Sequence, residues 1–218
     1  MEKVLTLEDI REKLKNYLLS TELPGQNAQF KMAPAIRIKE LESLDVEKLS
    51  PPRESAVLIL IYPHDKLNIV LIQRSGYDGV HSSQISFPGG KRETTDLDLQ
   101  ETAVRETYEE VGINTKNIEI IGKLTSLYIP PSNFMVYPYI GILNEEPNFK
   151  PDIREVHRII ELPLYALLTE EIKGEAEITT SYAEFSDVPC YKYDNAVIWG
   201  ATAMIISELE YILKDILQ

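Results

Sequence analysis

Seven consecutive apolar residues, Ala56 to Tyr62, constrain this chain more than any other feature. With Ser55 they read SAVLILIY, and Pro63-His64-Asp65 ends the run. A strand that is apolar at every position turns oily side chains to both faces of its sheet, so both faces must be covered. The run is far shorter than the ~20 residues that span a bilayer. The next apolar segment, Leu67 to Gln73 (LNIVLIQ), follows after a short turn and pairs back as a hairpin. Strands interspersed with helices further along predict an α/β (α+β) sandwich, with helices outside a mixed sheet.

Upstream, Leu7 to Leu19 reads as a helix, with Ile10, Leu14, Tyr17 and Leu18 near one face. Thr6 is placed to cap it, with Asp9 three residues on, and Pro24-Gly25 stops it. Residues 1–50 are read as a helical arm packed on a main domain of residues 51–218. Within that domain, Ile85 to Phe87 reads as a short strand before Pro88-Gly89-Gly90. A helix is expected from about Asp98 to Val111, capped by Asp98 with Glu101 and ended by Gly112. Ile118–Tyr128 and Met135–Leu143 read as strands around the turn Pro130-Pro131-Ser132-Asn133. Glu155–Leu162 reads as a strand or a helix entry, Leu164–Glu171 as a helix, Tyr191–Val197 as a late strand and Thr202–Leu217 as a closing helix.

The 218 residues carry 22 Lys plus Arg against 35 Asp plus Glu, a formal charge of −13. That balance argues against non-specific attraction to nucleic acid or an anionic membrane, whose phosphates need a cationic footprint. If the substrate is itself an anion, a divalent metal has to mediate the contact. A lone cysteine, Cys190, rules out an intrachain disulfide and a Cys-only zinc site. Cys190 and Trp199 sit in apolar surroundings and read as core or near-core; His64 and His157 have no second ligand at metal spacing. The start, MEKVLTLEDIREKLK, has no signal-peptide hydrophobic region, so the cytoplasm is the expected address.

The chemistry concentrates in Arg105-Glu106-Thr107-Tyr108-Glu109-Glu110-Val111-Gly112. At about 100° per residue, Glu106, Glu109 and Glu110 fall at about 0°, 300° and 40° around the helix. Leu97, Val104, Tyr108 and Val111 fall at about 140–200°, which predicts a core-facing stripe opposite the acids. Like charges at these spacings repel, and a hard divalent cation removes the penalty. An all-carboxylate set points to Mg²⁺ or Mn²⁺; the plain alternative is a solvated acidic face in an acidic protein. Arg105 precedes Glu109 by four residues and is placed to pair with it. Fifteen residues before Arg105 stands Gly90, in the rigid bend Phe87-Pro88-Gly89-Gly90, whose glycines allow close backbone approach.

Gly90 through Ile113 resembles the Nudix box, G-x5-E-x7-R-E-U-x-E-E-x-G-U. Arg105, Glu106, Thr107, Glu109, Glu110, Gly112 and Ile113 occupy its C-terminal half, with Thr107 in an aliphatic position. The spacing is one residue longer than the general box, so the early glutamate has no clean counterpart; Asp96 or Leu97 falls nearest. The extension and the wording FPGGK are similar to the coenzyme A pyrophosphatase branch. Arg74-Ser75, Ser132-Asn133-Phe134, Glu155-Val156, Leu162-Pro163-Leu164 and Ile198-Trp199-Gly200-Ala201-Thr202-Ala203 also resemble that branch. Gly79 stands where its motif has Arg, Ser83 where it has Gly, and Ile72 where it has Thr.

The resemblance implies a Nudix-type α/β/α sandwich over 51–218 that hydrolyses a diphosphate linkage in coenzyme A or its derivatives. The products would be adenosine 3′,5′-bisphosphate and 4′-phosphopantetheine. The alternatives are another nucleoside diphosphate derivative such as ADP-ribose or NADH, and a non-catalytic binding domain. An allylic-diphosphate isomerase on this fold would need an active-site cysteine, and Cys190 lies far along the chain from the box. The implied metal ligands are Glu106, Glu109, Glu110 and the backbone carbonyl of Gly89, for Mg²⁺ or Mn²⁺. Arg105 would orient them, and Glu155 is a candidate accessory ligand or base. Arg74, Tyr77, His81, Gln84 and Lys91 are candidate substrate contacts, each with an ordinary surface or packing role as its alternative. The implied partner is a small nucleotide-diphosphate molecule, with no nucleic acid and no membrane; a homodimer is left open.

Overall fold

The structure is a computed structural model that describes residues 6–43, 50–75, 84–180 and 184–217. Tyr77 and His81, with Gly79 and Ser83, lie outside the described residues.

The apolar run becomes β1 (Arg53–His64) and the segment after it β2 (Lys66–Arg74), an antiparallel hairpin in which Ile61 faces Ile69. After β2 come β3 (Ile85–Ser86) and β4 (Gly89–Lys91). Helix α4 (Leu99–Val111) follows, then β5 (Ile118–Lys123), β6 (Leu127–Ile129), β7 (Phe134–Leu143) and β8 (Val156–Pro163). The main sheet runs β3-β2-β1-β7-β5, with β8 on the other edge of β2, β4 on β1 and β6 on β7. It is mixed, because β1 runs parallel to β7 from Arg53↔Phe134 to Ile61↔Ile142 while its other neighbours are antiparallel.

Alternate side chains of β1 fill two separate cores. Ile59 and Ile61 join Ile69 and Leu71 on one face, packed with α1 (Leu7–Ser20) and the closing helix, here numbered α5 (Gly200–Ile216). Leu58, Leu60 and Tyr62 join Val70 and Ile72 on the other face, packed with Ala103 and Val111 of α4. Covering both faces is what an uninterrupted apolar strand demands. Thr6 and Asp9 form the reciprocal cap of α1. Ile10, Leu14 and Tyr17 of α1 are buried, and Lys15 Nζ meets Glu119 on β5 at 2.5 Å. After α1 come α2 (Gln26–Gln29), a 3₁₀ turn (Phe30–Met32) and α3 (Ala35–Glu42). Buried Glu208 of α5 accepts from Gln29 Nε2 at 2.9 Å and Thr125 Oγ1 at 2.6 Å, joining α2 to the break between β5 and β6.

Several expectations need correction. Ile118–Tyr128 is two strands, because the chain leaves the ladder at 124–126, where Thr125 bonds Glu208. Leu164–Glu171 is helical only as a 3₁₀ segment, Leu164–Leu168. Tyr191–Val197 is a hairpin, not one strand. Its two arms, β10 (Glu184–Tyr193) and β11 (Ala196–Ile198), turn at Asp194 and Asn195, both at positive φ (47° and 57°). Asn and Asp tolerate that conformation, and the pair carried a turn signal the reading passed over. With β9 (Lys173–Thr179), not anticipated at all, these strands make a second sheet ordered β11-β10-β9. The expected capping box on α4 is half formed. Asp98 accepts from Glu101 N at 2.8 Å, but the Glu101 carboxylate turns to Leu97 N.

The largest correction concerns the faces of α4. Leu97 is 85% exposed and lies before the helix, and Tyr108 is 57% exposed. The buried side chains are Thr102, Ala103, Thr107, Glu110 and Val111. The buried face is therefore turned to take in Glu110 and most of Glu106, while Val111 stays buried as expected and Glu109 stays outside.

Candidate active site

The site begins where β1 changes partners. Its second half pairs with β2 and its first half with β4, where Val57 faces Gly89 and Ala56 faces Gly90. Leu58 N donates to Pro88 O at 2.9 Å and fixes the FPGG bend against the strand. Both glycines are sterically required. A Cβ on Gly89 (φ 154°) would lie 2.4 Å from the Ala56 carbonyl oxygen and 2.6 Å from Val57 Cα. A Cβ on Gly90 would lie 2.4 Å from the Glu106 carboxylate carbon. The bare backbone of β4 thus leaves a slot that the acids of α4 fill.

Glu110 enters that slot most deeply. It is 1% exposed, and its Oε2 accepts from Gly89 N at 2.8 Å. Its Oε1 lies 3.0 Å from Arg74 Nη1 yet has no hydrogen-bond partner. Burial pushes the Glu110 carboxyl up to about 7, although Arg74 and the Gly89 amide pull it down; Glu106 and Glu155 reinforce the rise. Glu106 is raised too, chiefly by burial, with Arg105 opposing. Glu109 is half exposed and turned outward, where its Oε2 accepts from Arg105 Nη1 at 3.0 Å.

Arg105 ties this face together. Its Nε and Nη2 form a fork on Asp96, at 2.8 and 3.0 Å, while Nη1 reaches Glu106 and Glu109, both at 3.0 Å. Nη2 also donates to Lys91 O at 3.2 Å, binding the helix to β4. Asp96 is buried and accepts from Glu93 N and Thr102 Oγ1 as well. The Arg105 guanidinium and these donors hold its carboxyl well below the usual carboxylate range. Sequence reading had named Asp96 only as the residue nearest a vacant motif position. The signal for its role is a second Asp ahead of the helix, two residues before the cap Asp98, with Arg105 on a later turn.

Among the remaining candidates, Arg74 stands beside Glu110, and Arg74 N donates to Gln84 O at 3.0 Å. Glu155 is exposed, but its carbonyl accepts from Ser75 N at 2.8 Å, which sets it next to Arg74. Lys91 is exposed at the end of β4. Among the described residues, no three His, Cys, Asp or Glu side chains are arranged to hold a metal ion; the acids pair instead with Arg74 and Arg105. Trp199 is half-buried and Cys190 fully buried.

A cleft of about 400 Å³ opens beside the bend. Arg74, Gln84, Gly89, Gly90 and Lys91 line it. Ile36 and Arg37 of α3, Phe185 and Trp199 line it as well. The reading of the sequence assigned no part of the site to α3, which lies far upstream of the box.

An acid-bearing helix laid on a glycine bend beside a cleft, within a mixed-sheet sandwich, is the arrangement the Nudix resemblance implies, that of a hydrolase of diphosphate links. The NUDIX domain profile matches residues 52–184. The chain belongs to the Nudix family and is a Nudix pyrophosphohydrolase acting on nucleoside diphosphate derivatives. A Pectobacterium atrosepticum protein named Uncharacterized Nudix hydrolase NudL is 32% identical over 172 residues, covering 75% of this chain and 84% of its own. Its Yersinia enterocolitica namesake is 34% identical over 155 residues, covering 71% and 78%. A crystal structure of a MutT/nudix family protein from Enterococcus faecalis matches with TM-score 0.50 at 17% identity, over 97% of this chain and 76% of its own, a likeness of fold alone. Among the described residues, no helix is long and apolar enough to cross a membrane.

Proposed function

We propose that the protein hydrolyses the diphosphate of coenzyme A or its derivatives, releasing adenosine 3′,5′-bisphosphate and 4′-phosphopantetheine. The observation that carries the diphosphate chemistry is Glu110, buried on the Gly89 amide and beside Arg74 at the mouth of the cleft. The FPGGK wording and the one-residue extension of the box favour coenzyme A.

The donor set fits a hard divalent cation, being all carboxylate, with a buried Glu110 oxygen that lacks a hydrogen-bond donor. Glu106, Glu109, Glu110 and the Gly89 carbonyl would hold Mg²⁺ or Mn²⁺, which when bound neutralises phosphate oxygens and acidifies a water. Arg105, anchored by Asp96, orients Glu106 and Glu109. Arg74 faces both Glu110 and the cleft, and takes a phosphate oxygen of the substrate. Gln84 and Lys91 line the same wall and contact the diphosphate. Glu155, close enough to Glu110 to raise its affinity for protons, accepts a proton from the attacking water.

The test is chromatography after incubation with coenzyme A and Mg²⁺. The expected result is an adenosine 3′,5′-bisphosphate peak that disappears with EDTA and in Glu110→Gln. A second reading, hydrolysis of ADP-ribose or NADH, is favoured by Gly79 and Ser83, which depart from the coenzyme A motif. Faster turnover of ADP-ribose than of coenzyme A would decide for it. Binding of coenzyme A with Mg²⁺ present but no product would mark a non-catalytic domain.

A further inference from the structure

Helix α3 carries two apolar sets, and folding accounts for only one. Ile38 and Leu41, three residues apart, pack against the core under the sheet. Ile36 does not; it is 52% exposed, at the wall of the cleft. Arg37 and Glu40 line the cleft beside it and pair with each other at 3.0 Å. Phe185 of β10 and Trp199, the residue just before α5, line the same cleft. Ile36, Phe185 and Trp199 all fall outside the matched span of residues 52–184. A solitary exposed isoleucine needs no explanation. One that lines the same cleft as two aromatic side chains, Arg74 and the FPGG bend borders space continuous with the diphosphate site.

We propose that Ile36, with Phe185 and Trp199, is a selectivity wall for the group joined to the nucleotide through the diphosphate, and that it favours a flexible apolar arm over a second sugar. The inference rests on the diphosphate-hydrolase reading above. With the diphosphate held at Arg74 and the bend, the wall receives the group on its far side. A sugar's hydroxyls would lose water against the apolar faces of Ile36, Phe185 and Trp199 and would have to compete for Arg37 and Glu40, which already pair with each other. An alkyl-amide arm gains apolar contact there. The Arg37–Glu40 pair holds the helix turn that presents Ile36.

Dephospho-coenzyme A and ADP-ribose share ADP and differ only beyond its second phosphate, so together they isolate the wall. In Ile36→Ser, KM for dephospho-coenzyme A should rise about tenfold, the factor for an isoleucine losing roughly half its apolar contact, with kcat kept. The KM of ADP-ribose, or its inhibition constant, should rise much less. Ile36→Leu should restore the wild-type ratio, and an unchanged unfolding midpoint in both variants shows that the effect is local. Equal losses for both ligands, or no loss for dephospho-coenzyme A, would overturn the wall while leaving the hydrolase reading intact. A wild-type enzyme that cleaves none of coenzyme A, dephospho-coenzyme A and ADP-ribose with Mg²⁺ would overturn the proposed substrate class and the wall with it.

Discussion

Gly89 and Gly90 are adjacent, yet an added methyl meets different obstacles at each, and the difference is measurable. At Gly89 the new Cβ would lie 2.4 Å from the Ala56 carbonyl oxygen and 2.6 Å from Val57 Cα, at φ 154°. Backbone in the middle of β1 cannot move aside. Overpacking of about 1–3 kcal/mol adds to backbone strain of about 1–3 kcal/mol. Gly89→Ala should therefore lose about 2–6 kcal/mol, out of a stability of about 5–15 kcal/mol usual for a domain. For a chain of this size that lowers the melting temperature by about 5–20 °C. At Gly90 the obstacle is the Glu106 carboxylate, 2.4 Å away, the free end of a flexible side chain. Gly90→Ala should cost about 1 kcal/mol, from an off-rotamer glutamate and a weakened contact with Arg105. Turnover should fall about a hundredfold, because a carboxylate displaced by an ångström or more leaves the geometry the chemistry needs. Thermal unfolding and chromatographic turnover on both variants read the two effects separately. Wild-type turnover in Gly90→Ala, or wild-type stability in Gly89→Ala, would refute the claim that the bare backbone of β4 seats the acids.

The Asp96 carboxyl is held low by Arg105, so its folded value lies below its unfolded value of 3.8. The stability it adds is whole above that value and is lost as pH falls below it; acid titrations should show a shallower loss in Asp96→Asn than in the wild type. Arg105→Lys keeps the charge but loses the fork on Asp96, and turnover should drop about 10–100-fold with the folded fraction retained, as read by circular dichroism. Leu14 of α1 is fully buried. Leu14→Ala should cost about 2–5 kcal/mol in urea unfolding, shifting a single transition if the arm and the main sheet unfold together; a separate early transition would show an independent arm.

The layers of the fold were legible because the strongest signals were local. The run through Ala56–Tyr62 needs two covered faces, and the two cores supply them. Caps at Thr6 and Asp98 marked helix starts within a residue. The second sheet was not legible. The burial pattern of β9 alternates between half-buried and exposed with no fully buried position, and its pairing with β10 is interrupted by a register shift between Phe185 and Val188. Neither feature leaves a long apolar run. The contribution of α3 to the cleft was hidden for another reason. It depends on contact between residues 35–42 and the main sheet's far side, and no local pattern records such a distance.

The misread face of α4 carries the most general lesson. Periodicity assigns Leu97, Val104, Tyr108 and Val111 to the core because apolar residues ordinarily face inward; Val111 is buried and Val104 half-buried, while Leu97 and Tyr108 are exposed. That rule assumes the surface receiving the helix has side chains to pack against. Here the helix lies partly on β1, where Ala103 and Val111 pack, and partly on β4, two of whose three residues are Gly89 and Gly90. A strand without side chains offers backbone N–H groups and a slot one side chain deep. A glutamate fills it better than a leucine, because Gly89 N can donate to it. Small Ala103 and Thr107 let the helix settle close, and the Thr107 hydroxyl is satisfied by Ala103 O at 2.7 Å. The threonine that replaces an aliphatic residue in the box is thus fully buried with its polar atom paired. Tyr108, released from packing, remains in solvent. The glycines of the bend and the two inward acids of the helix are one device, and the buried face of α4 turns toward Glu106 and Glu110 where the helix meets bare backbone.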